Sequence, residues 1–253
     1  MRRVRVIPVL TLDNEKLVKT IKFKNPNYIG DPVNAVKIFN DKEVDEIILL
    51  DITATKENRE PNYNKIEEIC SEAFMPFAYG GGINSMDQVN RLFQLGIEKV
   101  VLNSVLNTNL ELVKKISDKF GAQSIVASID IKKNLFGKYH AFSHSGQKKV
   151  NLSLVIYLKN ILAAGAGEIF LNSIDRDGTF DGYDLEILKK LTEISAVPLI
   201  ACGGARNMVD LRLAIENGAS AVSAGSLFVY RGVQKGILIN YPSQNNLFKN
   251  VFS

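Results

Sequence analysis

The chain has 253 residues, 46% of them hydrophobic and 23% charged, enough apolar material for one sizeable core. No apolar run approaches the roughly 18 residues of a membrane-spanning helix. A net charge of +4, with no long Lys/Arg block and no aromatic-basic interleaving, argues against nucleic acid and favours a small anionic ligand.

The start, MRRVRVIPVLTLDN, is basic and then apolar, as a signal peptide is. Its apolar run is too short, ends in charge and lacks a small-residue cleavage site, so it reads as a first strand, residues 4–10. A polar loop follows, with Thr11 at the boundary. Strand-like runs then recur at 46–52, 76–80, 99–103, 124–130, 168–174, 198–204 and 221–225. Between them lie helix-period segments at 31–42, 64–74, 85–96, 109–121, 152–165, 184–194 and 208–218, several ending in Gly. A loop or hairpin carrying His140 and His144 follows the fifth strand. Nearly continuous apolar strands separated by helices imply a parallel sheet covered on both faces. Eight such units predict a single (β/α)8 barrel over residues 1–253; a doubly wound open sheet usually has fewer.

An internal repeat supports the barrel. A shift of 122 residues lays 76–106 on 198–228 without a gap. Pro76/Pro198, Gly81/Gly203, Gly82/Gly204, Gly96/Gly218 and Ser104/Ser226 coincide, and the same shift lays Glu46 on Glu168. Two half-barrels of four units account for one constant offset in two separate segments.

The repeated loops carry the chemistry. Gly81-Gly82 and Gly203-Gly204 follow strands three and seven, while Asn103-Ser104 and Gly225-Ser226 follow strands four and eight, each with a hydroxyl at a helix start. Glycines allow backbone N–H groups close to a ligand, and a helix start favours an anion. Tight turns alone account for one such pair; two symmetric pairs favour a ligand with a phosphate at each end. Asp130 tops strand five, where a barrel places acid–base groups, although a loop-capping role is open. Asp175, Arg176 and Asp177 form a charged turn after strand six, and Asp51 tops strand two. Arg5, Glu46, Lys99 and Glu168 open four strands at the opposite end, as a salt-bridge ring or the closure of an axial passage. Cys70 and Cys202 lie far apart with no metal-ligand spacing, and the two histidines, His140 and His144, have no cysteine near them in sequence; a cytoplasmic protein with free thiols and no metal or cofactor is expected.

In combination GDP, LDITA, GGGI, FGAQSIV, GAGEI and SIDRDGT resemble, nearly end to end, the HisF family, the cyclase subunit of imidazole glycerol phosphate synthase. The resemblance implies a HisH-like glutaminase docked on the barrel bottom and an ammonia gate at Arg5, Glu46, Lys99 and Glu168. It implies phosphate contacts at Gly81, Gly82, Asn103, Ser104, Asp177, Gly178, Gly203, Gly204, Gly225 and Ser226. It also implies two catalytic acids atop strands one and five. The second is Asp130; the first falls on Thr11, which has no carboxylate. Asp13, two residues on, could reach in from its loop. The loop LDNEKLVKTIKF lacks the family's KDG but keeps Lys19, and Ala78 and Cys202 replace expected hydroxyl residues. The combination looks like a divergent second HisF-type paralogue associated with sugar amidation in surface-polysaccharide pathways. There a separate N-acetyl sugar amidotransferase would use the ammonia. The alternatives are an authentic cyclase of histidine biosynthesis, an isomerase of the related HisA type, and a phosphate-binding scaffold.

Overall fold

A computed structural model describes residues 4–232 and 234–252. The barrel strands are β1 (Arg5–Asp13), β2 (Ile47–Asp51), β3 (Phe77–Gly80), β4 (Lys99–Leu102), β5 (Ile125–Lys133), β6 (Glu168–Ser173), β7 (Leu199–Cys202) and β8 (Ala221–Ala224). Each pairs in parallel with its neighbours, and β8 pairs with β1, so the sheet closes into a (β/α)8 barrel. The seven intervening helices are α1 (Pro32–Asp41), α2 (Tyr63–Cys70), α3 (Met86–Gln94), α4 (Leu110–Phe120), α5 (Leu154–Ala163), α6 (Leu185–Thr192) and α7 (Met208–Glu216). All eight predicted strands and seven predicted helices are present.

Local chemistry sets the helix starts. Asp31 accepts a hydrogen bond from Asn34 N with Pro32 at the first position, and Ser85/Gln88 and Asn207/Asp210 form reciprocal capping boxes. Side chains alternate across each strand. One set packs under the helices; the other fills the barrel with Ile7, Ile48, Val126, Phe170 and Ile200. This inner layer separates the two ends of the molecule. Among the described residues, no helix is long and apolar enough to cross a membrane.

Two hairpins rise from the mouth, the end at which the strands finish. The second is the predicted one: Tyr139–Ser143 returns antiparallel along β5. The first, where the sequence predicts a polar loop, is a hairpin, Lys16–Ile21 with Lys24–Gly30, which extends β1 to Asp13. Leu17, Val18, Lys19 and Thr20 are all buried, and Val18 and Leu17 pair with Thr11 and Leu12 of β1. The segments after β4 and β8 also differ from expectation. They are a single 3-10 turn, Ser104–Asn107, and a four-residue helix, Ser226–Val229. Neither is long enough for an appreciable macrodipole, so an anion there would depend on individual N–H and hydroxyl donors.

Candidate functional site

At the lower end, Arg5, Glu46, Lys99 and Glu168 open β1, β2, β4 and β6 and close into a ring. Arg5 donates to both Glu46 and Glu168. The Lys99 ammonium donates to Glu46 at 2.9 and 3.1 Å and to Glu168 at 2.9 Å. Charges alternate, and each carboxylate holds both cations. Burial works against the Arg5 charge, but Glu46 and Glu168 outweigh it and raise its pKa above the ordinary value.

At the mouth a cavity of about 1030 Å³, partly open to solvent, is lined by Thr11, Lys19, Asp51, Gly81, Gly82, Asn103, Ser104, Asp130, Asn172 and Asp177. A smaller one of about 260 Å³ adjoins it, lined by Asp177, Gly178, Gly203, Gly204, Gly225 and Ser226. The ten predicted phosphate contacts thus fall into two groups on opposite half-barrels. At Gly204 close backbone packing already requires glycine: φ is +103° and a Cβ would meet the Gly182 carbonyl at 2.2 Å. We expect sulfate soaked into crystals to occupy both places, beside Ser104 and Ser226. Density at neither would remove the two-phosphate reading.

Asp130 is buried. The amide of Asn103 donates to it at 3.2 Å and the Ser128 hydroxyl at 3.5 Å. Burial first, and the nearby Asp177 second, push its carboxyl up to about 7, while Ser128 pulls the other way. The folded chain therefore retains a proton that the unfolded chain loses near pH 4. Asp130 accordingly opposes folding increasingly as pH rises from about 4 to about 7. Asp130→Asn should flatten this dependence, gaining on the order of a few kcal/mol relative to the parent at pH 7.5 and little at pH 4. Urea unfolding at both pH values checks it; parallel curves would place Asp130 in a wetter, ordinary environment.

Thr11 faces the same cavity from the opposite half-barrel. Its hydroxyl donates to the Val18 carbonyl, so it ties the first hairpin to β1. Asp13 does not stand in for a missing acid. It ends β1 opposite Lys16 and lines a separate outer groove with Asn14, Glu15 and Arg59, rather than a mobile loop over the cavity. Asp177 is the hub of the mouth: Lys19 donates to it at 3.3 Å and Thr20 at 3.0 Å, and Lys22 N donates to its carbonyl at 2.9 Å. A side chain at Gly225 would collide with the Lys19 stem at 2.8 Å. Of its neighbours in the charged turn, Asp175 accepts from Lys133 N and Arg176 donates to Asp181 O, both structural contacts. Asp51 is held by Thr53, Ala54 and Arg59.

Cys202 lines the mouth and Ala78 the apolar layer beneath it; burial pushes the Cys202 thiol up to about 12, which leaves it protonated and unreactive. His140 and His144 lie on the second hairpin, where burial and lysine neighbours lower their pKa values. Asn172, Ser128 and Thr20 also line the cavity, and no motif in the sequence marks them. All three are inward positions, recognisable only by their alternation with apolar neighbours.

Residues 5–234 match the model of the histidine biosynthesis protein family. The chain is 49% identical over 248 residues to a Pseudomonas aeruginosa protein provisionally named imidazole glycerol phosphate synthase subunit hisF2, covering 98% of this chain and 99% of that one. It is 47% identical over 245 residues to a Vibrio vulnificus protein provisionally named subunit hisF3, covering 96% and 94%. It is 42% identical over 231 residues to imidazole glycerol phosphate synthase subunit HisF of Endomicrobium trichonymphae, covering 91% and 89%. With a closed eight-stranded barrel and two glycine-lined pockets at its mouth, the chain belongs to the histidine biosynthesis protein family, as one of its HisF-type barrels.

Proposed function

We propose that this chain is the barrel subunit of a glutamine-dependent amidotransferase complex. It takes ammonia from a HisH-like glutaminase at its lower end and delivers it at the mouth for amidation of an N-acetyl sugar in surface-polysaccharide biosynthesis. The observation that carries the reading is an intact lower ring beneath a halved acid pair. Arg5, Glu46, Lys99 and Glu168 keep all the partners needed to close and open a passage. Thr11, where the HisF resemblance implies a carboxylate, carries a hydroxyl that donates to the hairpin backbone. Conduction uses the first feature and needs nothing of the second. Phe74, 80% exposed, and Ile194 lie on loops at the lower end and suit an apolar docking surface for the glutaminase.

A second reading, the cyclase of imidazole glycerol phosphate synthase, is favoured by Asp130 poised near neutrality in the larger of two adjoining pockets that suit a doubly phosphorylated nucleotide. In both readings a HisH-like glutaminase is the partner. Reconstitution separates them. The chain, a glutaminase and the N-acetyl sugar amidotransferase should form an amidated sugar from glutamine, and omission of the barrel should abolish glutamine-driven but not ammonium-driven product. Product formation indifferent to the barrel would overturn the proposal.

A further inference from the structure

We propose that the tip of the second hairpin is the docking element for the ammonia-consuming enzyme, a protein presenting an apolar socket with an acidic rim. The inference rests on the conducting role above and names where the acceptor sits. Leu135 and Phe136 form the tip, and their relative exposures are 102% and 93%. Adjacent large apolar side chains so fully exposed are unusual away from an interaction site. The turn that displays them is well made: Asn134 Oδ1 accepts from Phe136 N at 3.0 Å and Lys138 N at 2.9 Å, and Gly137 N donates to Asn134 O at 3.0 Å. Their exposure is therefore not the by-product of a loose loop.

Charge selects the occupant. Lys132, Lys138 and Lys149 are exposed on the same hairpin and make no ion pair among the described residues, so an acidic rim would complement them. Position selects its role. The hairpin continues β5 past Asp130, which carries the tip roughly 15 Å beyond the acid, on the face where the cavity opens. Its base is tied to the mouth: His144 N donates to the Ser104 hydroxyl at 3.1 Å and Asn103 donates to Phe142 O at 3.4 Å. Tyr139 donates to Asp184 at 2.8 Å, which braces the stem against the start of α6. An enzyme gripping this tip would lie over the opening, where ammonia must pass without meeting bulk water.

The experiment uses the full chain and its Leu135→Ser/Phe136→Ser double variant, whose exposed sites carry no folding burden. Binding to the N-acetyl sugar amidotransferase is measured by calorimetry, with glutaminase binding as the control surface. Flotation with vesicles of phosphatidylglycerol and phosphatidylcholine runs alongside. We expect the double variant to bind the amidotransferase at least tenfold more weakly, to bind the glutaminase unchanged, and not to differ from the parent in flotation. Equal amidotransferase affinity for parent and variant overturns the docking assignment and leaves the conducting role standing. A parent that does not bind the amidotransferase overturns both. Flotation of the parent that the variant loses, with amidotransferase binding unchanged, replaces the protein occupant by an anionic membrane surface.

Discussion

Supplied with saturating ammonium and the imidazole-precursor nucleotide, the unmodified chain should turn over at least about 10²-fold more slowly than the roughly 10 s⁻¹ of an ordinary enzyme. Positioned acid–base catalysis is typically worth about 10²–10⁴-fold. The HisF resemblance puts one of the two groups at Thr11, which has no carboxylate. The Thr11 hydroxyl is spent on the Val18 carbonyl, and Asp13 lies on the outer groove. Asp130 keeps a suitable pKa, but the β1 position that shares its cavity carries the Thr11 hydroxyl, and the Asp51 carboxylate there is held by Arg59. Thr11→Asp should restore little, because the new carboxylate would meet the Val18 carbonyl oxygen and release the hairpin that carries Lys19. The measurement is steady-state turnover by absorbance of the imidazole product. A rate constant near 1 s⁻¹ would sink the conducting role and return the chain to histidine biosynthesis.

Removing one cation from the lower ring should uncouple nitrogen supply from product. Lys99→Ala leaves Glu46 and Glu168 sharing Arg5 alone, and both carboxylates are largely buried. Two anions on one guanidinium repel, and the ring should gape or rearrange. We expect amidated product formed with glutamine as the nitrogen source to fall at least about tenfold, while product formed from added ammonium changes about twofold or less. These ratios follow from the proposed passage, which would serve only internally delivered ammonia. Breaking a buried pair costs about 3–5 kcal/mol, so thermal melting must first establish that the variant is folded. Lys99→Arg, which keeps the charge, should recover most of the stability and part of the coupling. Equal losses with both nitrogen sources would make the ring a structural clasp and nothing more.

The barrel itself was legible from periodicity. Eight short apolar runs separated by helical segments have few closed solutions, and the 122-residue repeat made the two-fold arrangement explicit. The ring was legible because strand starts put Arg5, Glu46, Lys99 and Glu168 at one end whatever the details of packing. That the strand-one acid position falls on Thr11 came from the resemblance to the HisF family; periodicity marks inward positions but not which residue to expect there. What the hydroxyl does instead, donating to Val18, was not legible, because the first hairpin was not. Its tight turn runs through Lys22 and Phe23 at φ +53° and +62°. Such turns normally announce themselves by Asn-Gly, because L side chains resist positive φ. Here Lys22 N donates to the Asp177 carbonyl at 2.9 Å and Phe23 lines the mouth, so tertiary contacts hold a conformation that local preference disfavours. The elevated Asp130 pKa is likewise a property of depth and of Asp177, a residue 47 positions away that only folding brings close. Pattern along the chain determined which residues face inward and at which end; only the closed barrel decided which of them share a cavity, because that depends on strands far apart in sequence meeting around one axis.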